Sequence, residues 1–243
     1  MTQEARSSET RIGEFDPSLI APTDQDWALI SSYAYITEPP ERCDIIGDLA
    51  VLDPQLEISI ATKEDWNYFF KEADRLRDPM LIGFHKRWIG SMAKVDSEKV
   101  RQALLPEELD RQEETLREML EGKEDVGLFP ASFQVDAVNI DFERTKKVFE
   151  EVGETAWISE IRYLSWLRRE SPAHFFMLLA ALSQISSAKT LTLMEKSDWD
   201  LALEGLRYYR GHAGSYNISA LVAHLAALKK LTPLFERLSR IFQ

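Results

Sequence analysis

Three short segments of this chain carry the signals of a helix start directly ahead of a tryptophan. They are Thr23-Asp-Gln-Asp-Trp27, Thr62-Lys-Glu-Asp-Trp66 and Ser197-Asp-Trp199. A Ser or Thr hydroxyl at a helix N-cap accepts a hydrogen bond from a free backbone N–H, and acids in the first turn meet the positive end of the helix dipole. Because apolar residues follow each start at a helical period, we expect helices to build the fold.

The same period and its punctuation predict helices along the rest of the chain. Pro39 and Gly122 end two of them, and Pro233 begins a last helix after one that ends at Leu231. The dipeptides Asn-Gly and Asp-Gly, which mark tight β-hairpins, do not occur in the sequence. The pattern therefore predicts an all-α fold, a multi-helix globular bundle of about nine or ten helices.

The chain has 243 residues, enough for one large domain or for two packed helical subdomains. Residues 1–22 mix Ser, Thr, Glu, Pro and Gly without a period, which predicts a flexible or loosely docked arm. Weak periodicity, together with Gly122, Gly127 and Pro130, predicts a connector at 123–139. The connector would separate an acidic N-terminal helical subdomain, 23–122, from a C-terminal helical subdomain, 140–243.

The net charge of −12 is concentrated at one end of the chain. Residues 1–60 hold twelve acids and three bases, whereas residues 126–243 hold thirteen acids and fourteen bases. An acidic surface favours a basic protein partner, and it makes nucleic acid an unlikely ligand because phosphates require a basic patch. Six acids are the predicted partner-binding residues: Asp24, Asp26, Glu38, Glu41, Asp44 and Asp48.

The sequence does not support a secretory signal, a membrane span, an intrachain disulfide, a metal site or a cofactor site. Residues 1–9 contain neither a basic nor an apolar stretch, and the longest apolar run, 175–185, is shorter than the roughly 20 residues of a membrane span. Cys43 is the single cysteine and cannot form an intrachain disulfide. We expect a cytoplasmic protein without a membrane segment. The four histidines are isolated in sequence and glycine-rich phosphate motifs are absent, so neither a metal nor a cofactor is expected.

One segment combines residue types that can cleave RNA. Arg207 and His212 lie five positions apart near the end of a predicted helix, where an arginine can stabilise charge on a phosphate while a histidine transfers a proton. Over residues 197–232 the segment resembles the HEPN-type helical ribonucleases, which carry an Arg-x-x-x-x-His motif. This resemblance implies a metal-independent ribonuclease with Arg207 and His212 as its catalytic pair, completed across a dimer.

A second segment, Glu170-Ser-Pro-Ala-His174, precedes the most apolar predicted helix. It is similar to the Glu-Pro-x-Asp-His signature of the helical chaperones that escort redox enzymes, with Ala173 in place of the Asp. This resemblance implies a chaperone of a redox enzyme.

The hypothesis that the sequence favours is a non-enzymatic interaction module of the adaptor, inhibitor or immunity-like kind. In it, the acidic N-terminal half orients a basic protein partner and aromatic side chains supply affinity. The ribonuclease and the redox-enzyme chaperone are the alternatives.

Overall fold

The computed structural model of this protein describes residues 15–36, 41–53, 61–75, 87–122, 129–212 and 215–241. These residues form thirteen α-helices and one short 3-10 helix, and they include no strand. The all-α class predicted from the periodicity is therefore confirmed, with more helices than the nine or ten expected.

The 3-10 helix spans Pro17–Ile20 and precedes the first α-helix. The α-helices are α1 Asp24–Ile36, α2 Glu41–Leu52, α3 Lys63–Arg75, α4 Arg87–Val95, α5 Ser97–Ala103, α6 Pro106–Leu120, α7 Phe129–Ile140, α8 Phe142–Val152, α9 Glu154–Glu170, α10 Pro172–Ile185, α11 Ser187–Leu193, α12 Asp198–Gly211 and α13 Ser215–Ile241.

Two of the three tryptophan-containing helix starts carry reciprocal caps. At α1 the Thr23 N–H and hydroxyl donate to Asp26 Oδ2 at 2.8 and 2.9 Å, and the Asp26 N–H donates to Thr23 Oγ1 at 3.1 Å. Thr62 and Asp65 make the same three bonds at α3. Each pair satisfies backbone donors that the helix itself leaves free, so the sequence signal marks a real helix start.

The third start is built differently, and the predicted Ser197 cap is wrong. Ser197 has helical backbone angles, φ −67° and ψ −15°, and its side chain makes no capping bond. Asp198 instead accepts a hydrogen bond from the N–H of Glu195 at 2.8 Å. The residue three positions before the Asp is therefore the one that is capped, as at the other two starts.

The hydrophobic core is centred on α10 and α13. All residues of α13 from Leu221 to Leu228 are buried, as are Phe175 and Phe176 of α10. α13 packs against α1, α2, α10 and α12. Helices from both sides of the predicted connector thus share this core, and residues 129–139 of that connector form most of α7.

The predicted break before Pro233 does not occur, because α13 continues through it. Proline has no N–H, so the Lys229 carbonyl four residues earlier loses its helical donor. Lys229 and Pro233 are both exposed, which gives water access to that carbonyl. Leu231 and Leu234, on either side of the proline, are buried on the core face and hold the helix in one piece.

Within the described residues, one helix is long and apolar enough to cross a membrane. It is α13, over Ile218–Ile241. Of its most apolar stretch, 67% is buried inside the protein. The core helix of a globular protein has the same length and composition, so these properties alone do not indicate a membrane span.

Candidate functional site

Five helices meet around a small polar cavity. Its polar lining comes from Asp48 of α2, Lys94 of α4, Asn139 of α7, Gln184 of α10 and Lys230 of α13. Most of the remaining wall consists of alanines on α10 and α13, whose small side chains leave the space open. The volume is about 20 Å³, which admits one water-sized particle.

A close contact between α2 and α4 sets the geometry on one side of the cavity. A Cβ atom at Gly47 of α2 would overlap the backbone carbonyl of Ser91 on α4, so glycine is required there. The Gly47 N–H also lies 3.1 Å from Ser91 Oγ, to which it donates. The contact brings the next residue, Asp48, to Lys94, and their Oδ1 and Nζ atoms are 2.6 Å apart.

The charged side chains of the cavity are mostly shielded from water. The Lys94 and Asp48 side chains are 10% and 6% exposed. The pKa of Lys230 is lowered to about 8, mainly by burial and also by the positive charge of Lys94, while the charge of Asp48 acts in the opposite direction. The lining thus holds two amino groups and one carboxylate, and the buried Asn139 Nδ2 atom has no hydrogen-bond partner.

Sequence reasoning identified Asp48 only as a surface acid and did not identify Lys94, Asn139 or Lys230. A signal for Lys230 exists in the sequence. It lies three and four positions after Ala227 and Ala226, so helical spacing puts it on their buried face. The residues that it meets across the cavity come from distant parts of the chain, and no local pattern indicates them.

Four of the predicted partner-binding acids lie near the start of α1 and α2. Asp24 is exposed in the first turn of α1. Glu41 and Asp44 belong to α2, but their side chains are not among those described, and Glu38 lies outside the described residues. For this group, the structure therefore establishes surface exposure for Asp24.

The other two predicted acids are buried inside the protein. Asp26 is 3% exposed and accepts hydrogen bonds from Arg210, with Nη2 to Oδ2 at 2.8 Å. Burial raises the pKa of Asp26, but the hydrogen bonds from Arg210 and Thr23 and the charge of Arg210 outweigh it and leave the pKa lowered. Asp48 is 4% exposed and pairs with Lys94 as described above. Both carboxylates are engaged by groups of the same chain.

Arg207 and His212 are both exposed at the end of α12. The His212 ring stacks on Tyr208 with centroids 4.5 Å apart, and its Nδ1 atom lies 2.9 Å from the Tyr208 carbonyl oxygen. Arg207 lies within α12, whereas His212 follows the last helical residue as the C-cap, with non-helical angles φ −120° and ψ 37°.

The residues of the redox-chaperone resemblance span the end of α9, at Glu170, and the start of α10. Ser171 occupies the N-cap position and Pro172 is the first helical residue. Ser171 Oγ lies 2.7 Å from His174 Nδ1. This local arrangement, with proline at the first position, is a common way to begin a helix.

A second buried polar pair lies between α7 and α9. Glu160 is 1% exposed, and Gln134 Nε2 donates to its Oε1 atom at 2.9 Å. Glu160 Oε2 and Gln134 Oε1 have no hydrogen-bond partner. Burial raises the pKa of Glu160 to about 8. When protonated, Glu160 can donate from Oε2 to Gln134 Oε1, which would satisfy both oxygens.

The part of the chain that the structure describes contains no group of three or more His, Cys, Asp or Glu residues that could hold a metal ion. No family model, curated protein or solved structure matches this chain. The fold and the site therefore define an all-α protein with a small charged cavity, and its function has to be argued from its own surfaces.

Proposed function

We propose that this protein is a non-enzymatic interaction module, of the adaptor, inhibitor or immunity-like kind, that binds a basic protein partner in the cytoplasm. The observation that carries the proposal is the uneven distribution of charge. The described residues between 15 and 122 include twenty acids and ten bases, whereas those between 129 and 241 include thirteen acids and fourteen bases. An acidic half attracts a basic surface and orients it before contact.

Ion pairs within the protein occupy four bases of the acidic half, while other acids of that half remain exposed at the surface. Four bases of the acidic half are held by carboxylates of the same chain: Arg42 by Asp65, Lys94 by Asp48, Arg101 by Glu98, and Arg117 by Glu113 and Glu151. Other carboxylates are exposed on the outer faces of α1, α3 and α6, namely Asp24, Glu64, Glu107 and Glu114. The proposal therefore rests on exposed acids such as these rather than on the buried Asp26 and Asp48.

Exposed apolar groups in the same half supply candidates for short-range affinity. Leu19 of the 3-10 helix, which lies between Asp16 and Asp24 in the sequence, is 47% exposed, and Phe70 of α3 is 38% exposed. Apolar and aromatic anchors surrounded by polar residues carry most of the energy of many interfaces. In the proposed mechanism, charge sets the rate and orientation of encounter and these anchors slow dissociation.

Affinity purification from native lysate with charge-reversal variants tests the proposal. The double variant Asp24→Lys, Glu114→Lys should lose most of the captured partner, which should itself be basic. The matched control, Glu170→Lys with Glu204→Lys, makes the same charge change at exposed acids of the C-terminal half and should keep it. Capture by the wild type should fall markedly between about 50 mM and about 500 mM salt, because salt screens exposed charges.

Equal capture by both double variants would contradict the proposal, as would capture that does not change with salt. Recovery of RNA in place of a protein would favour the ribonuclease alternative. Circular dichroism of each variant establishes that the helices are intact before binding is compared.

A further inference from the structure

We propose that the cavity between α2, α4, α7, α10 and α13 is a binding site for a small inorganic monoanion, with chloride as the probe. The inference is independent of the proposed partner binding. It rests on the hydrogen-bonding inventory of the cavity, its charge and its size, all of which come from the residues already described.

The lysine N–H donors of this cavity outnumber the hydrogen bonds that they make to the protein. Lys230 and Lys94 each carry three N–H groups, of which Lys94 gives one to Asp48 Oδ1 at 2.6 Å. Asn139 Nδ2 adds a buried amide donor without a partner. A buried donor that bonds to nothing costs free energy, so such a site favours an occupant that only accepts hydrogen bonds. An anion is such an occupant.

The charge of the lining agrees with this conclusion. Among the lining residues, Lys94, Lys230 and Asp48 are the ones that carry charge, two positive and one negative. The surplus is one positive charge, which one monoanion neutralises. Because Lys94 and Asp48 are shielded from water, attraction to an anion is screened less than it would be at the surface.

The size of the cavity limits the choice of anion. A volume of about 20 Å³ is close to the space that one water molecule requires. A halide needs little more room than a water molecule, so it requires less adjustment of the lysine side chains than sulfate or phosphate, which have five heavy atoms each. A monoanion between the two amino groups would also reduce the repulsion by which Lys94 helps to lower the pKa of Lys230.

Thermal unfolding at constant ionic strength tests the proposal. Sodium gluconate, whose anion is too large for the cavity, is replaced stepwise by sodium chloride. The Tm of the wild type should rise by about 3–6 °C when chloride exceeds its Kd about tenfold, and should keep rising with the logarithm of the chloride concentration above that. Lys230→Met should abolish the chloride-dependent rise. Asn139→Asp, which introduces a carboxylate of the same size into the cavity, should abolish it as well.

The chain provides a matched control beside the site. Lys229 precedes Lys230 on the same helix, but its Nζ atom donates to the Leu52 carbonyl at 2.7 Å and does not line the cavity. Lys229→Met makes the same change of charge and size, so it should keep the chloride-dependent rise even where its overall Tm is lower. This comparison separates site binding from general effects of salt.

A bromide-containing crystal provides the direct readout. The anomalous signal of bromide should appear within hydrogen-bond distance of Lys94 Nζ and Lys230 Nζ. The proposal is overturned if the wild-type Tm does not rise when chloride replaces gluconate. It is also overturned if Lys230→Met responds as the wild type does, or if bromide is absent from the cavity.

Discussion

The carboxyl group of Glu160 faces the amide of Gln134 with one hydrogen bond formed and one oxygen on each side without a partner. Burial raises the pKa of Glu160 from 4.5 to about 8 in the folded protein. The folded state therefore holds a proton that the unfolded state has released over this pH range. The stability from this group is fully present below about pH 4.5 and is lost as the pH rises through about 8.

Glu160→Gln should remove this pH dependence, because an amide reproduces the two hydrogen bonds of the protonated acid at every pH. Urea unfolding at about pH 5, 6.5 and 8 measures the effect. The variant should match the wild type near pH 5 and become progressively more stable than it toward pH 8. The difference should grow by up to about 1.4 kcal/mol per pH unit, the value for one proton.

Glu170→Gln is the control for this prediction, since Glu170 is exposed on the same helix, α9. Its difference from the wild type should stay constant over the same pH range. If Glu160→Gln also showed a constant difference, Glu160 would be ionised in the folded protein at neutral pH, which contradicts the pairing that we describe.

The sequence predicts the burial of Glu160 but not its pairing with Gln134. Glu160 shares the helical spacing of Trp157, Leu164 and Leu167, all three buried, which places it on the inner face of α9. Gln134 lies on α7, inside the segment predicted as a connector. The pairing depends on how two helices pack, and this cannot be obtained from the periodicity of either one.

Each of the three Asp-Trp helix starts is held by an arginine from another helix. The pairs are Asp26 with Arg210, Asp65 with Arg42, and Asp198 with Arg168. In the third, Arg168 Nε and Nη2 lie 2.7 and 3.1 Å from the two carboxylate oxygens, while Nη2 also donates to the Leu193 carbonyl at 3.0 Å. The aspartates cap their own helices, and the arginines fix those helices to neighbours.

Arg168→Met should destabilise the protein by about 3–5 kcal/mol near neutral pH, because it leaves the carboxylate of Asp198 buried without its counter-charge. Asp198 is 0% exposed, and burial, which outweighs the hydrogen bonds from Arg168, already raises its pKa. Urea unfolding at pH 7 measures the loss. Adding Asp198→Asn to Arg168→Met should recover part of it, since Asn keeps an acceptor and carries no charge.

Lys147→Met is the control for the arginine variant. Its ion pair with Glu151 is a surface pair in which the side chains are 68% and 42% exposed, and such pairs contribute less than about 1 kcal/mol. A loss from Arg168→Met as small as that of Lys147→Met would show that Asp198 does not depend on its arginine.

The sequence predicts where these helices start but not which arginines bind their aspartates. Thr23 with Asp26, and Thr62 with Asp65, fit the capping pattern and form the expected bonds. The arginines lie far away in sequence, and nothing in their neighbours distinguishes them from solvent-exposed bases. Arg168 illustrates this, because on sequence alone it belongs to a basic outer face of α9, whereas it folds back onto Asp198.

The interaction module and the ribonuclease predict different results when the whole protein is incubated with RNA. If the protein is an interaction module, purified protein incubated with RNA in EDTA should leave it intact. The ribonuclease alternative predicts cleavage that either Arg207→Ala or His212→Ala abolishes. Gel analysis of labelled RNA measures the outcome. Cleavage that is lost in both variants, with circular dichroism unchanged, would overturn the interaction proposal in favour of the ribonuclease.

The fold class is predictable from this sequence because it depends on the spacing of apolar residues, which is a local property. The number of helices is less predictable, since a short helix such as α11 spans seven residues and is separated from α10 by a single residue. The continuity of α13 through Pro233 depends on burial on both sides, which is a tertiary property. The cavity is formed by residues from five helices, so no local sequence pattern predicts it.

The contact between Asp26 and Arg210 joins residues 184 positions apart. During synthesis on a ribosome, α1 emerges before α12, so its arginine partner becomes available only after 184 more residues have been made. The carboxylate at the N-terminal end of α1 is therefore neutralised only after α12 has left the exit tunnel. A truncated nascent chain that ends before residue 210 leaves that end of α1 without its anchor.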